Sequence, residues 1–292
     1  MGKQERVPVL VRGVGDVGSA VAAVLFHAGY RVALHDEPGP TTPRRGMAFT
    51  DAVFDGVAVL DGLTARRVES PAELRRVLTV GAPLPVAVWA FAEISRAVDW
   101  SAVIDARMRK RAVPEGQRGL APLTIGLGPN FIAGENVDVA IETSWGDNLG
   151  AVIEAGSTLP LGGEPRPIGG VGRARFVYAP TAGRFETNAR IGDRVEENAV
   201  VATIAGIAVY APISGVLRGL TRSGVEVTLR TKVIEVDMRG DPAAAFGLGE
   251  RPRRIAEGVL MALARLRVAE VGINVTLLRA RAQEPRRQLT SE

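Results

Sequence analysis

The sequence predicts an α/β chain in two parts, a sheet-and-helix domain followed by a mostly β region that ends in a small β sandwich. Three observations carry this. The first is a succession near the start. An apolar run at Val7–Val11 leads into the glycine loop Gly13-Val14-Gly15-Asp16-Val17-Gly18. An apolar helix from Ala20 to Ala28 and a second apolar run from Tyr30 to Leu34 follow, closed by His35-Asp36-Glu37. Strand, glycine turn, helix, strand and acidic residue stand in the order that opens a dinucleotide-binding, Rossmann-like βαβ unit. The second is the alternation that continues it, with strands at Pro85–Ala90 and Ala102–Ala106 between helical stretches. The third is a phrase used twice, Val177-Tyr178-Ala179-Pro180-Thr181-Ala182-Gly183 and Val209-Tyr210-Ala211-Pro212-Ile213-Ser214-Gly215. A repeated phrase marks one supersecondary unit employed twice.

The helix from Ala20 is closed by Gly29, which suits a left-handed C-terminal cap. Glu37 to Thr42 is Pro- and Gly-rich and breaks the pattern. Val57–Leu60 and Leu63–Val68 flank Asp61-Gly62, a two-residue hairpin signal. Ser70 is placed to cap a helix through Val80, with Pro71 at its first position, where a missing N–H does no harm. A short helix is expected around Glu93–Val98. Glu115-Gly116-Gln117 reads as a boundary loop. Beyond it, Leu123–Asn130 and Val137–Thr143 read as strand–turn units, and Leu161–Gly172 is rich in Gly and Pro. In each copy of the repeated phrase a strand stops at a Pro, which cannot donate to a ladder, and a Gly suited to a tight turn follows. Asp241-Pro242 precedes a last helix from Arg251 to near Val268, and the Arg-rich tail from Gln283 has the composition of a disordered segment. The expected divisions are therefore 1–115, 116–172, 173–240 and 241–292.

Composition narrows the chemistry. The 292 residues carry a net charge of +4, and only Lys3, Lys110 and Lys232 among the 36 basic residues are lysines. The arginines are spread along the chain without aromatic interleaving, which argues against a nucleic-acid surface. There are no cysteines, so disulfides, thiolate nucleophiles, Cys-ligated zinc and iron–sulfur clusters are excluded together. With only His27 and His35, a histidine metal cluster is not expected, and no metal site is assigned. No run approaches the ~18 apolar residues of a membrane helix, and the N-terminus shows no signal-peptide pattern. The expected location is the cytoplasm.

The glycine loop is the leading candidate site. Gly13 permits the turn, Gly15 lets a pyrophosphate approach the backbone, Gly18 lets helix and strand pack, and the helix N-terminus favours an anion. Asp36, about 20 residues on, would take a ribose diol and favour NAD over NADP. Asp16 is at odds with this, since it sets a negative charge beside the expected phosphate. A glycine turn kept for packing alone accounts for the same residues. Arg44 and Arg45 suit a phosphate or a partner's carboxylate, or equally two solvated arginines. Gly128 and Asn130 in Gly126-Leu127-Gly128-Pro129-Asn130 could form a nest of N–H groups, with Glu142 and Asn148 nearby; loop-stabilising Asx turns explain them too. His27 is expected in the core.

Two resemblances enter at these residues. The repeated halves, with Ile191-Gly192-Asp193 and Val195, resemble the biotinyl/lipoyl-carrier type of barrel-sandwich hybrid. Carrier domains hold a modifiable Lys between the halves, whereas the link here is Ala205-Gly206-Ile207-Ala208, so the resemblance implies a binding or assembly module. Over Val7 to about Leu263, the chain resembles accessory proteins of the selenium-dependent molybdenum hydroxylase system. The phrases are the Gly13–Gly18 loop, Arg44–Phe49, Ile125–Gly134, Ile141–Gly150, Ala211–Gly219 and Val236–Pro242. Asn130 stands where that family more usually has Gly. This resemblance implies a maturation or insertion factor for the molybdenum cofactor, with a molybdenum hydroxylase as client and NAD or another nucleotide or pterin-nucleotide as ligand. It supplies no catalytic residues. Two alternatives remain: an NAD-dependent oxidoreductase using Glu142, Asp105 or His35 as acid or base, and a non-catalytic interaction protein with an empty glycine loop.

Overall fold

The computed structural model describes residues 7–109, 112–162 and 164–265. Met1–Arg6, the end of the final helix near Val268 and the tail from Gln283 lie outside the described residues. The first eleven strands are β1 (Pro8–Arg12), β2 (Arg31–His35), β3 (Val57–Leu60), β4 (Leu63–Arg67), β5 (Leu84–Ala87), β6 (Ala102–Asp105), β7 (Leu123–Leu127), β8 (Ile132–Ala133), β9 (Val139–Ile141), β10 (Val152–Ile153) and β11 (Gly156–Ser157). Nine of them make one sheet in the order β10-β9-β7-β6-β1-β2-β5-β4-β3, while β8 and β11 pair separately. From β4 to β9 the neighbours run parallel; β3 and β10 are antiparallel edges.

Helices α1 (Asp16–His27), α2 (Asp51–Asp55), α3 (Pro71–Val80) and α4 (Phe91–Ala97) belong to the same unit. A further helix, α5, covers residues 250–265. Side chains alternate across the strands, as a period of two requires. Val9, Val11, Val32, Leu34 and Ile104 face α1 and α5 through Val21, Leu25, Ile255 and Val259. Leu10, Ala33 and Val103 face Leu74 and Val77 of α3 and Ile94 of α4. The Ser70 hydroxyl accepts from the Glu73 N–H at 3.2 Å, and the Glu73 carboxylate accepts from the Glu69 N–H at 3.0 Å, so this helix start is closed from both sides.

The expected fold class is corrected here. The chain is not a Rossmann-like domain followed by a separate, mostly β region. Strands β7, β9 and β10, from the stretch expected to stand apart, complete the large mixed sheet. Among the described residues no helix lies between β6 and β7 or between β7 and β9, so a second helix-linked half is absent. The C-terminal α5 returns to the first core, where Ile255, Ala256 and Val259 meet Ile141 and Leu149. Burial of apolar surface decides this: β7 is buried along its whole length and can be so only inside a sheet covered on both faces. His27 is also corrected, being exposed at the end of α1.

The remaining strands are β12 (Phe176–Tyr178), β13 (Gly183–Glu186), β14 (Arg194–Val195), β15 (Val200–Ile204), β16 (Ile207–Tyr210), β17 (Gly215–Leu220), β18 (Glu226–Val227) and β19 (Lys232–Asp237). They form two antiparallel four-stranded sheets, β12-β19-β17-β14 and β16-β15-β13-β18, around Phe185, Ile204, Leu217 and Val233. The repeated phrase crosses between them. Its first copy leaves β12 in one sheet and enters β13 in the other; its second leaves β16 and enters β17 in the reverse sense. The glycine at each crossing has positive φ, 144° at Gly183 and 157° at Gly215. A Cβ on Gly215 would lie 2.5 Å from the Asp237 carbonyl oxygen, so only glycine fits that corner. Between β15 and β16 the link is the two-residue turn Ala205-Gly206, with φ of 48° and 79°. This β module is tied to the large sheet's loops, where Leu220 N–H donates to Pro43 O at 2.7 Å and Thr221 Oγ1 to Thr41 O at 3.2 Å.

Candidate functional site

The chain lays β1, β2 and β5 in one direction and resumes at β6 on the other side of β1. In open α/β sheets such a reversal leaves a crevice outside the carboxyl ends of the strands, where ligands bind. The Gly13–Gly18 loop lies at that end of β1. A Cβ on Gly13 would stand 2.9 Å from Ala106 C and O, and one on Gly18 only 1.9 Å from Gly13 O. Both glycines are therefore demanded by packing. Gly15 is not. Its φ is −69°, and a Cβ there would meet only the Thr42 side chain, at 3.5 Å.

Carboxylates already occupy part of the loop. Asp36 Oδ2 accepts from the Val14 N–H at 2.8 Å and Asp36 Oδ1 from the Glu37 N–H at 2.9 Å. Burial pushes the Asp36 carboxyl up, against the pull of those N–H groups. Asp16 Oδ1 accepts from the Val17 N–H at 3.1 Å, and Asp16 Oδ2 takes Arg44 Nη1 at 3.0 Å. No hydrogen bond among the described residues uses the N–H of Gly15 or Asp16.

Arg44 is held on both sides, unlike the solvated or partner-gripping residue the sequence allowed. Its Nε and Nη2 donate to Glu235 at 2.8 and 2.9 Å, in a fork from the glycine loop to β19. Arg175 and Lys232 also face Glu235, at 3.4 and 3.6 Å. Arg45 is spent likewise, on Asp51 at 2.7 and 2.8 Å and on Leu220 O at 2.9 Å. Burial raises Asp16 and Glu235, but the charge of Arg44, seconded by Lys232, outweighs it and brings both below their ordinary range, Glu235 to about 2. Glu235 binds its proton more weakly folded than unfolded, so its contribution is complete above the unfolded value of 4.5 and is lost as pH falls towards 2. Acid titration of stability should show a loss of about 3 kcal/mol from this group. Glu235→Gln should flatten that limb; an unchanged limb would refute the assignment.

The second predicted group is arranged around Glu142. This buried carboxylate accepts from the N–H groups of Thr143, Ser144 and Leu159, each at 2.7 Å, and so organises the loops after β9 and β11. Gly128 is buried with φ 112°, and its carbonyl accepts from Thr158 Oγ1 at 2.8 Å. Asn130 has φ 71° and is exposed; its Nδ2 donates to Ala112 O at 3.1 Å. Asn148 is exposed in a turn, its carbonyl accepting from Ala151 N–H at 2.9 Å. Gly128 and Glu142 thus lie at the carboxyl ends of β7 and β9, while Asn130 and Asn148 support loops. Among the described residues no group of three or more His, Asp or Glu could hold a metal ion. No helix among them is long and apolar enough to cross a membrane.

Apart from Asp105 and His35, offered above as acid or base, two features are not marked in the sequence. The first is a polar layer at the carboxyl ends of β1, β2 and β6. There Arg12 is stacked on Phe91 at 3.6 Å and donates to Gln117 at 2.8 Å, with Asp105, Arg107, Arg109 and Glu115 around it. His35 beside it contacts Trp89 O through Nε2 at 2.9 Å, and burial holds its imidazole below the usual value. The second is Arg251 on α5, whose Nε donates to Thr143 O at 2.7 Å. Nothing local marks Arg12 or Arg251, whose partners Phe91, Gln117 and Thr143 lie tens to more than a hundred residues away. A buried-strand reading that admitted arginine at the end of Val9-Leu10-Val11 was the one available signal.

No family model matches the chain. It is similar to the Uncharacterized protein YqeB of Escherichia coli (strain K12), 38% identical over 259 residues, a stretch of 88% of this chain and 47% of that protein. The chain thus spans about half the length of the curated relative it matches. Among solved structures, a succinylglutamate desuccinylase from Silicibacter sp. TM1040 aligns over 80% of this chain and 85% of its own, at 13% identity and a TM-score of 0.23. That likeness is too slight to carry an argument.

Proposed function

We propose that the chain is an accessory factor for maturation of a molybdenum hydroxylase, holding a nucleotide or pterin-nucleotide at the carboxyl ends of β1, β6 and β7. The observation that carries the ligand half is Gly15. Gly13 and Gly18 are explained by the fold, but nothing in the fold asks for glycine at 15, where a side chain would have room beside Thr42. Gly is an accepted N-cap residue, which Gly15 is, and close approach of a ligand's phosphate to the backbone is the functional reason that a missing Cβ at a helix N-terminus serves. Among the described residues the N–H groups of Gly15 and Asp16 have no hydrogen-bond partner and stand ready there. The client half rests on the resemblance in the ordered phrases from the glycine loop to Val236–Pro242, with the β module as the surface that meets the client.

Thermal unfolding of the full chain titrated with NAD, NADP, ADP and a molybdopterin nucleotide tests the ligand half. A true ligand at about 100 times its dissociation constant should stabilise by about 2.7 kcal/mol. Gly15→Asp should abolish that gain while leaving the unliganded protein stable, since Asp is a favoured N-cap residue. Failure of all four compounds to shift unfolding would sink the ligand half. Undiminished molybdenum hydroxylase activity in cells lacking this protein would sink the client half.

A further inference from the structure

We infer that Arg251 is the anion anchor of this crevice, a guanidinium held ready for the phosphate or pyrophosphate group of a ligand laid across the carboxyl ends of β1, β7 and β9. The inference deepens the nucleotide reading above and rests on it for the identity of the whole ligand. Its basis is the disposition of charge. Arg251 belongs to the first turn of α5 and is half-buried, fixed through Nε to the Thr143 carbonyl at 2.7 Å. That bond sets it on the loop after β9. The Thr143 hydroxyl lies 3.8 Å from the position of a Cβ on Gly128, so the same spot touches the loop after β7. Asp16, in the loop after β1, acts on Arg251 electrostatically, as does Glu142.

Neither carboxylate is within ion-pair distance of Arg251 among the described residues. Both are already committed, Asp16 to Arg44 and the Val17 N–H, Glu142 to three backbone N–H groups. Around this point four cations, Arg44, Arg175, Lys232 and Arg251, face three carboxylates, Asp16, Glu142 and Glu235. Of the four, Arg251 is the one that makes no ion pair among the described residues. Burial lowers its pKa and the neighbouring Arg44 adds to that, so the charged form gains from an incoming anion. A guanidinium with Nε bound and its outer nitrogens unspent retains two donors spaced for two oxygens of one phosphate. An arginine with no ion pair among the described residues, beside a glycine loop whose middle glycine the fold does not need, fits a phosphate better than a neutral group.

The test uses inorganic pyrophosphate with the full chain, at constant ionic strength set with chloride, because surface attraction is screened by salt. Pyrophosphate should raise the melting temperature of the wild-type protein. Arg251→Gln should weaken apparent affinity by about 10-fold or more, the scale of one charge-assisted contact, and circular dichroism should show the same fold. If Arg251→Gln does not fold, Arg251→Lys decides: retaining charge but losing the fork, it should bind several-fold more weakly. Pyrophosphate binding unchanged in either folded variant, or absent from the wild type, overturns the inference. The outcomes separate from those of the nucleotide reading. Nucleotide binding that survives in Arg251→Gln refutes Arg251 alone, whereas pyrophosphate binding without response to any nucleotide or pterin refutes only the larger ligand.

Discussion

Arg44→Met should destabilise the protein by about 3 kcal/mol in urea or thermal unfolding, a size expected when one member of a buried ionic group is removed. The loss has two sources. Glu235, wholly buried on β19, loses its two-bond partner, and Asp16 loses its only side-chain cation within ion-pair distance among the described residues. Arg175 and Lys232 still face Glu235, which keeps the expected figure at the lower end of the range. The partner experiment is Arg44→Met combined with Glu235→Leu and Asp16→Asn. Replacing a buried ionic group by apolar or neutral ones of similar volume is often close to neutral, so the triple variant should recover part of the loss, the remainder coming from Arg175 and Lys232 left without Glu235. If Arg44→Met alone unfolds like the wild type, Arg44 does not fasten the glycine loop to the β module. If the triple variant is no better than the single one, the loss comes from packing of the arginine stem instead of from stranded charge.

Gly18→Ala should cost about 3 kcal/mol or more, above the usual overpacking penalty of roughly 1–3 kcal/mol. The added methyl would stand 1.9 Å from Gly13 O and 2.9 Å from Gly13 C, which are backbone atoms. Gly13 cannot retreat, because it is itself packed on the Ala106 backbone. Gly15→Ser is the contrast: the site has room, φ is ordinary, and Ser is a good N-cap, so its stability should stay within about 0.5 kcal/mol of the wild type. Chemical denaturation of the two variants side by side separates a glycine needed by the fold from one available to a ligand. Equal stabilities would remove the distinction on which the ligand proposal stands.

Much of the local structure was legible because its causes are local. The Ser70-Pro71 start of α3, the Asp61-Gly62 hairpin and the glycine corners of the repeated phrase depend on φ values and caps that a few neighbouring residues settle. The site was legible only as a list of residues. Gly13, Gly15, Asp16, Gly18 and Asp36 do meet at one strand end, but Arg44 and Arg45 turn inward to Asp16, Glu235 and Asp51. An arginine's chemistry in isolation fits a phosphate and a carboxylate alike, and the choice is made by whichever carboxylate the fold brings within reach.

The sequence by itself determined the opening strand, glycine loop, helix and strand, the twofold β repeat, and the absence of any cysteine chemistry. These follow from periodicity, turn stereochemistry and composition, which act over a few residues. The tertiary structure alone decided that β7, β9 and β10 join the first sheet, that α5 closes its core, and that Asp16, Arg44 and Glu235 form one ionic chain. Burying apolar faces and pairing buried charges depend on distance in space, and residues 16, 44, 235 and 251 come together only after the chain has folded.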